Sequence, residues 1–500
     1  MRRSLWRPVH LLARADRYLF FGLAGKCQTI ERRAHRIISG PVIPVRLPSA
    51  WASDASAPRW WVVTPVRIIR RLAYKTKNVM DRAGHYSARV EGKATRLLAA
   101  TDYSARLIES VSFETMFYGS IRFNVCPLKP ALPALGRKGK VTLLIPALSE
   151  KSFFGGTASA LIVAGMFAKV SGRNLRIIET IVHAEHVSLS GFFKLNGLSL
   201  RDEDIEIVDV SSRSHKVHCY VDMHPDDIFI ASAWQDAHLL QRLPLATKFV
   251  YVIQDFEPIF YANGDVSVMA ENTYRPENFI PLCNTRLIYE FMSARYRHIE
   301  KAGLWFEPAV SRVGNGASVR NTGKKKMFVY GRPHVERNLF YTVINAVNNV
   351  FNDGRLDSRE WDICMAGQDN IADIALSSGL VIRNLGKMPL NEYVDLTKTI
   401  DLAVSLMMAP HPSYPVLEMA SVGAAVVTTK YANKTDLGRY SKNIFMADLA
   451  TEDIEAKIAE AASLSYDERI AALSSNRIES DWESALRDQV SAIMATLGSS

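Results

Sequence analysis

From residue 141 onward, short apolar runs recur at intervals that leave room for a helix or a loop between them. "VTLLIPAL" (141–148), "LRIIETIV" (175–182), "IEIVDV" (205–210), "DDIFIASAW" (226–234) and "KFVYVIQDF" (248–256) form a first series. Such runs, short and bounded by polar residues, suit strands buried on both faces of a parallel sheet. A polar linker, "GASVRNTGKKK", falls at about 316–326. After it comes a second series: "MFVYGR" (327–332), "EWDICMAG" (360–367), "LVIRNLG" (380–386), "DLAVSLMM" (401–408) and "AAVVTT" (424–429), each one helix-length from the next. Strands alternating with helices predict doubly wound α/β sheets, and two series predict two successive Rossmann-like domains, at 141–315 and 316–480. Residues 481–500 are expected to form a C-terminal helix that packs back on the first of them. No short-period repeat or low-complexity tract interrupts the pattern.

The first 140 residues do not share it. They hold 26 Lys/Arg against 8 Asp/Glu, while the rest of the chain holds 35 against 43, so the overall charge of +10 belongs to the N-terminal quarter. The stretch "RIIRRLAYKTKNVMDRAGHYSARVEGKATRLL" reads as basic helix, and 1–140 as a mostly helical basic extension. Three roles fit it: a solvated extension, contact with an anionic membrane surface or a polyanionic acceptor, or contact with nucleic acid. The last fits least, because no aromatic-basic recognition module accompanies the charge. "YLFFGLAG" is only eight residues long before Lys26, and no run reaches the roughly 18 apolar residues of a membrane span. The five cysteines lie far apart with no CxxC pair, which argues against a zinc site or a disulfide framework and for a reducing compartment. The expected location is cytoplasmic, with peripheral attachment to the inner face of the plasma membrane an option.

In doubly wound folds ligands bind at the carboxyl ends of the strands, so chemistry is sought just after each run. Gly155 and Gly156 follow the 141–148 run and open an apolar stretch; paired glycines let backbone N–H groups approach an anion, or simply make a tight turn. There is no GxGxxG here, and no acidic residue closes the 175–182 run as NAD binding would require. In "VYGRPHVERNLF" (329–340), Arg332 and Arg337 follow a strand; their guanidinium groups suit a diphosphate, or form a surface pair with Glu336. In "MMAPHPSYPVLEMASVGAAVVTT" (407–429), Pro415 suits the first position of a helix capped by Ser413 or Tyr414. Glu418 then falls one turn in, either as a first-turn carboxylate favoured by the helix dipole or as an acceptor for both hydroxyls of a ribose. His411 is a loop histidine or a phosphate or sugar contact. Asp255 and Glu257, after the 248–256 run, either cap and pair within a loop or are a catalytic carboxylate pair, orienting an acceptor hydroxyl or stabilising an oxocarbenium-like transition state.

The arginine pair, followed some eighty residues later by "PVLEMASVGAAVVTT", resembles the C-terminal half of family-4 glycosyltransferases of the GT-B fold. "VIQDFEPIFYANGDVSVMAENTYR" and "HPSYPVLEMASVG" look like signatures of the WsaF-type rhamnosyltransferase branch. The resemblance covers about residues 140–480. It implies that Arg332 and Arg337 hold the donor diphosphate, Arg337 standing where the family usually has lysine, and that Gly155-Gly156 approach the same phosphates. Glu418 matches the second glutamate of the E-x7-E motif, which holds the ribose. The first glutamate position, eight residues earlier, is Pro410, so His411, Ser413 and Tyr414 are the candidates for handling the sugar. Tyr261, Tyr274 and Arg275, further along the branch signature, are expected on the acceptor side.

The implied activity is transfer of a sugar, rhamnose from dTDP-rhamnose, to a growing cell-surface glycan or lipid-linked glycan, with retention. No metal and no cofactor are expected, the nucleotide-sugar being a co-substrate and arginines neutralising its diphosphate. Two rivals stand beside it: a nucleotide-sugar epimerase or hydrolase on the same scaffold, and a non-catalytic glycan-assembly protein.

Overall fold

The computed structural model describes residues 125–131, 137–148, 155–183, 188–213, 219–310 and 318–498; what is expected of the basic segment 1–124 lies outside the described residues. In the first half the strands are β1 (Lys129–Ala131), β2 (Val141–Ala147), β3 (Leu175–Val182), β4 (Ile205–Asp209), β5 (Tyr220–Asp222), β6 (Ile228–Ala231), β7 (Phe249–Ile253), β8 (Phe279–Asn284) and β9 (Trp305–Phe306). β1 and β5 pair only with each other, and the remaining seven form a parallel sheet in the order β4-β3-β2-β6-β7-β8-β9. In the second half they are β10 (Lys325–Tyr330), β11 (Trp361–Ala366), β12 (Ile374–Ala375), β13 (Val381–Asn384), β14 (Leu402–Val404), β15 (Ala425–Thr429) and β16 (Ile444–Ala447). Their sheet runs β12-β13-β11-β10-β14-β15-β16, parallel except for the edge strand β12.

Burial on both faces explains why the strand runs are continuously apolar. Leu143 and Ile145 of β2 pack into one cluster, whereas Leu144 between them packs into another with Tyr251 and Phe249 on the opposite face. Alternate residues of a strand point to opposite faces, so a two-sided strand has no polar side to show. Helix α1 (Gly155–Ser171) is buried from Ala158 through Ala168. It lies between β2 and a C-terminal helix, here α4 (Trp482–Gly498), with α2 (Phe340–Asn352) and α3 (Tyr414–Ser421) between them in sequence. Trp482, Leu486, Val490 and Ile493 of α4 recur at one-turn spacing and join the cluster around α1, and Lys169 pairs with Glu483 at 2.9 Å. The chain thus returns to the first domain after completing the second.

Each of the ten apolar runs contains a strand. β1, β5, β8, β9, β12 and β16 lie outside those runs, and β8 carries Pro281 in its middle. Cys283 donates its N–H outward to the Leu304 carbonyl (3.0 Å), and Pro281, two residues earlier, has the same orientation. β9 pairs only with Cys283 and Asn284, so the missing N–H of Pro281 faces an edge that β9 does not reach.

Both sheets reverse direction of growth beside their first strand, at β2/β6 and at β10/β14. The loops leaving these strands open toward each other. Across the domain boundary Asn433 Nδ2 donates to the Leu287 carbonyl (2.9 Å) and the Tyr440 hydroxyl to Glu307 (2.7 Å).

Candidate active site

A cleft of about 510 Å³ lies where the two sets of strand ends meet, lined by residues of both domains. On the second-domain wall the chain leaves β10 through Gly331 and Arg332. A β-carbon on Gly331 would sit 3.2 Å from Met365, and one on Gly367 (φ +135°) would lie 2.9 Å from Arg332 Cγ. The two glycines therefore make the space in which the Arg332 side chain lies. Arg332 Nη1 donates to the Tyr330 hydroxyl at 3.3 Å. Arg337 sits in the short 3-10 turn Glu336–Asn338 ahead of α2. Its guanidinium lies 3.8 Å from the ring centroid of Phe260, which the other domain contributes, and its Nε is buried with no hydrogen-bond partner. Burial lowers the Arg337 pKa while Asp255 raises it, and the Arg332 charge opposes it. Two guanidinium groups repelling each other in a cleft favour an anion between them.

The loop after β14 is pinned by its backbone. Met407 exchanges two hydrogen bonds with Thr429 Oγ1 (3.0 and 3.1 Å), Met408 N–H donates to the Arg337 carbonyl (2.8 Å), and Lys434 Nζ donates to the Met407 carbonyl (2.9 Å). Ser413 occupies the cap position of α3 with φ +80°, and Pro415 follows inside the first turn. The Ser413 N–H donates to His411 Nδ1 (2.9 Å), so the hydrogen of the neutral ring sits on Nε2. Burial, then Lys434 and Arg337, push the His411 pKa down to about 3, which keeps it neutral. Its Nε2–H is buried without a partner and His411 lines the cleft, so it is a donor awaiting an acceptor. The His411 ring stacks on Tyr414 (5.3 Å between centroids), whose hydroxyl is held by Asn284 Nδ2 (2.8 Å) and Ser159 Oγ of the first domain. Tyr414 thus ties α3 to the facing domain. Glu418 also lines the cleft, and its Oε2 accepts from the Tyr393 hydroxyl at 2.9 Å.

The first-domain wall supplies glycines and acids. Gly155 is the first residue of α1, at φ +52°, and a β-carbon on Gly156 would meet Gln254 Oε1 at 3.1 Å. Asp255 accepts from the Phe256 N–H (2.9 Å); burial pushes its pKa up to about 6, against the charges of Arg337 and Lys434. Glu257 Oε2 accepts from the Trp234 N–H (3.2 Å), and Oε1 is buried without a partner. Burial first, with Asp236 and Asp255 adding to it, raises Glu257 to about 8. At pH 7 Asp255 is ionised and Glu257 holds its proton, so the same wall offers a base and an acid.

The cleft therefore gathers Gly155, Gly156, Asp255, Glu257, Arg332, Arg337, His411, Ser413, Tyr414 and Glu418. It does not gather the three residues expected on the acceptor side. Tyr274 is wholly buried, stacked on Tyr251 (5.5 Å), and its hydroxyl bridges the Asp255 carbonyl and the Glu257 N–H at 3.3 Å each. It supports the acidic loop from behind. Tyr261 accepts from Trp234 Nε1 (2.9 Å), and Arg275 lies at the surface beside Glu271 (3.5 Å). Neither lines the cleft. The Arg–Glu336 surface pair is likewise replaced, by the Tyr330 and Phe260 contacts. Gln254, beside Asp255 in the same strand-end loop, lines the cleft as well; Tyr393, Phe260 and Lys387 line it without having been singled out, and Lys434 lies just behind it. Only Lys387, just past the 380–386 run, carried a signal, namely its place at a strand end.

Two parallel doubly wound domains with their switch points on one cleft, a guanidinium pair on one wall and carboxyl groups on the other, constitute the GT-B arrangement. Residues 140–286 match the WsaF N-terminal domain and residues 325–459 the WsaF C-terminal domain, together more than half of the chain. The chain belongs to the WsaF-type family of GT-B glycosyltransferases. It is 31% identical over 238 residues to the O-antigen biosynthesis protein RfbC of Myxococcus xanthus; the match covers 47% of this chain and 18% of RfbC, so the chain spans under a fifth of that relative. Similar solved structures include sucrose-phosphate synthase from Thermosynechococcus elongatus (TM-score 0.48, 8% identity, 73% of this chain and 100% of that one). Another is Anabaena Alr3699/HepE in complex with UDP-glucose (TM-score 0.48, 13% identity, 72% and 100%).

Proposed function

We propose that the chain transfers a sugar from a nucleotide-sugar to a growing cell-surface glycan, that the donor is dTDP-rhamnose, and that transfer proceeds with retention and without a metal ion. The observation that carries this is the opposition of Arg332, Arg337 and the Glu418–Tyr393 pair to Asp255 and Glu257 across one cleft. The two arginines and the Nε2–H of His411 receive the diphosphate and neutralise the charge that grows on it as it leaves. Glu418 holds the nucleoside sugar. With retention, the C1–O bond to the diphosphate breaks while the acceptor oxygen closes on the same face. The acceptor proton then passes to the departing phosphate oxygen, the nearest base on that face. Asp255 stabilises positive charge developing at C1, and protonated Glu257 donates to an acceptor or sugar oxygen.

Release of nucleoside diphosphate from dTDP-rhamnose should require added glycan acceptor and persist in EDTA. Release without acceptor would indicate a hydrolase, and isomerised donor an epimerase. Among the described residues no helix is long and apolar enough to cross a membrane. The basic segment is proposed to hold the protein at an anionic surface from the cytoplasmic side. Removing residues 1–120 is then expected to leave dTDP binding unchanged and abolish salt-sensitive binding to vesicles of 30% phosphatidylglycerol, on the order of 1 kcal/mol being at stake for each basic residue near the surface. Equal vesicle binding by the truncated chain would assign the charge elsewhere.

A further inference from the structure

Lys434 is wholly buried, on the turn that follows β15, and lies behind the cleft rather than in its lining. Tyr431 and Lys434 close that turn by exchanging two backbone hydrogen bonds (3.0 and 2.8 Å). The last two side chains of the turn then go to different partners. Asn433 reaches the Leu287 carbonyl of the first domain, and Lys434 Nζ reaches the Met407 carbonyl under the loop that carries His411, each at 2.9 Å. The second of these bonds does not call for a lysine. The Met407 carbonyl already accepts from Thr429 Oγ1 (3.1 Å), and burying an ammonium is costly where a neutral donor would serve. What distinguishes a lysine at this place is its charge.

That charge is felt in the cleft. Asp255, from the loop after β7, and His411, from the loop after β14, both line it. Both are acted on by Lys434 together with Arg337 of the turn before α2. Burial pushes the Lys434 pKa down to about 7, with the Asp255 carboxylate opposing. An anion entering beside Arg337 adds to the effect of Asp255 and draws a proton onto Nζ. We propose that Lys434 is a positioning residue of the donor site, acting from behind Met407 by lending positive charge to a bound diphosphate and to Asp255 without touching the donor. The inference rests on the nucleotide-sugar function proposed above.

A bound diphosphate raises the Lys434 pKa above its value of about 7 in the free protein, so the contribution to binding is complete below pH 7 and is lost as pH climbs through the raised value. Calorimetric titration of dTDP into the full-length wild-type chain and into Lys434→Met reads this as a ratio of two Kd values, in which the titration of dTDP itself cancels. The wild-type chain should bind about five- to tenfold more tightly at about pH 6, and the ratio should approach one by about pH 9. Lys434→Gln keeps a donor for Met407 and lacks the charge. It should follow Lys434→Met, and it decides the matter if Lys434→Met does not fold. A ratio near one at pH 6 overturns the inference. So does a ratio displaced equally at every pH, or failure of both variants to fold, either of which marks a structural lysine. If dTDP does not bind the wild-type chain, the nucleotide-sugar function falls and this inference with it. If dTDP binds and the ratio does not change with pH, only the role of Lys434 falls.

Discussion

Asp255→Asn should lower kcat by about 10²- to 10³-fold while leaving donor affinity and melting temperature close to those of the wild-type chain. The side chain lines the cleft on the wall facing Arg337, and burial holds its pKa at about 6, so it is the ionised acid of the pair at pH 7. An amide keeps the shape and loses the charge that meets C1. The rate should rise with pH through about 6 in the wild-type protein as Asp255 ionises, and that limb should vanish in Asp255→Asn. Glu257 behaves oppositely, with its useful form protonated, so activity should fall as pH passes about 8. Glu257→Gln keeps a donor and should retain activity while flattening that alkaline limb. The same group links pH to stability. Its folded pKa is raised from 4.5 to about 8, so its stabilisation is complete below 4.5 and is lost as pH climbs through 8. Glu257→Gln should therefore flatten the fall in melting temperature over that window. An Asp255→Asn enzyme with kcat within about twofold of wild type would remove Asp255 from the chemistry.

Arg337→Ala should weaken binding of dTDP and dTDP-rhamnose by about ten- to a hundredfold, the loss of a charge-assisted contact worth roughly 1.5–3 kcal/mol. Arg332→Ala should do the same more mildly, because Arg332 already commits one donor to the Tyr330 hydroxyl whereas the Arg337 Nε is buried without a partner. Arg337 has a further part to play, since its stacking on Phe260 spans the cleft. Arg337→Lys should restore charge but not the planar stack, and so recover part of the affinity only. Unchanged affinity in both alanine variants, with folding intact, would leave the guanidinium pair without a role in donor binding.

The strands and the strand-end loops were legible in the sequence because their chemistry is local. A run buried on both faces is apolar along its length, and the residues just past it are carried to the cleft. Arg332, Arg337, Asp255, Glu257 and His411 all lie within such loops, and all reach the cleft. What was not legible depends on distant partners. Tyr393 meets Glu418 from 25 residues away and Lys434 meets Met407 from 27, with no periodicity to announce either. Phe260 faces Arg337 only because two domains fold and then meet. Tyr274 was misplaced for the converse reason. The stretch from Gln254 to Arg275 is continuous in sequence, but after the cleft loop it turns back, and Tyr274 enters the core beneath Asp255. Position in a motif did not reveal that reversal.

The nucleotide-sugar site itself is tested most directly by titrating the full-length protein with dTDP-rhamnose and dTDP while following its melting temperature, beside Arg337→Ala. A ligand that binds only the folded chain stabilises it by about 2.7 kcal/mol at a hundred times its Kd. The expected result is a saturable rise in melting temperature for the wild-type protein with both ligands, shifted to higher concentration by the substitution. A melting temperature that stays constant up to millimolar dTDP-rhamnose, dTDP and UDP would contradict it.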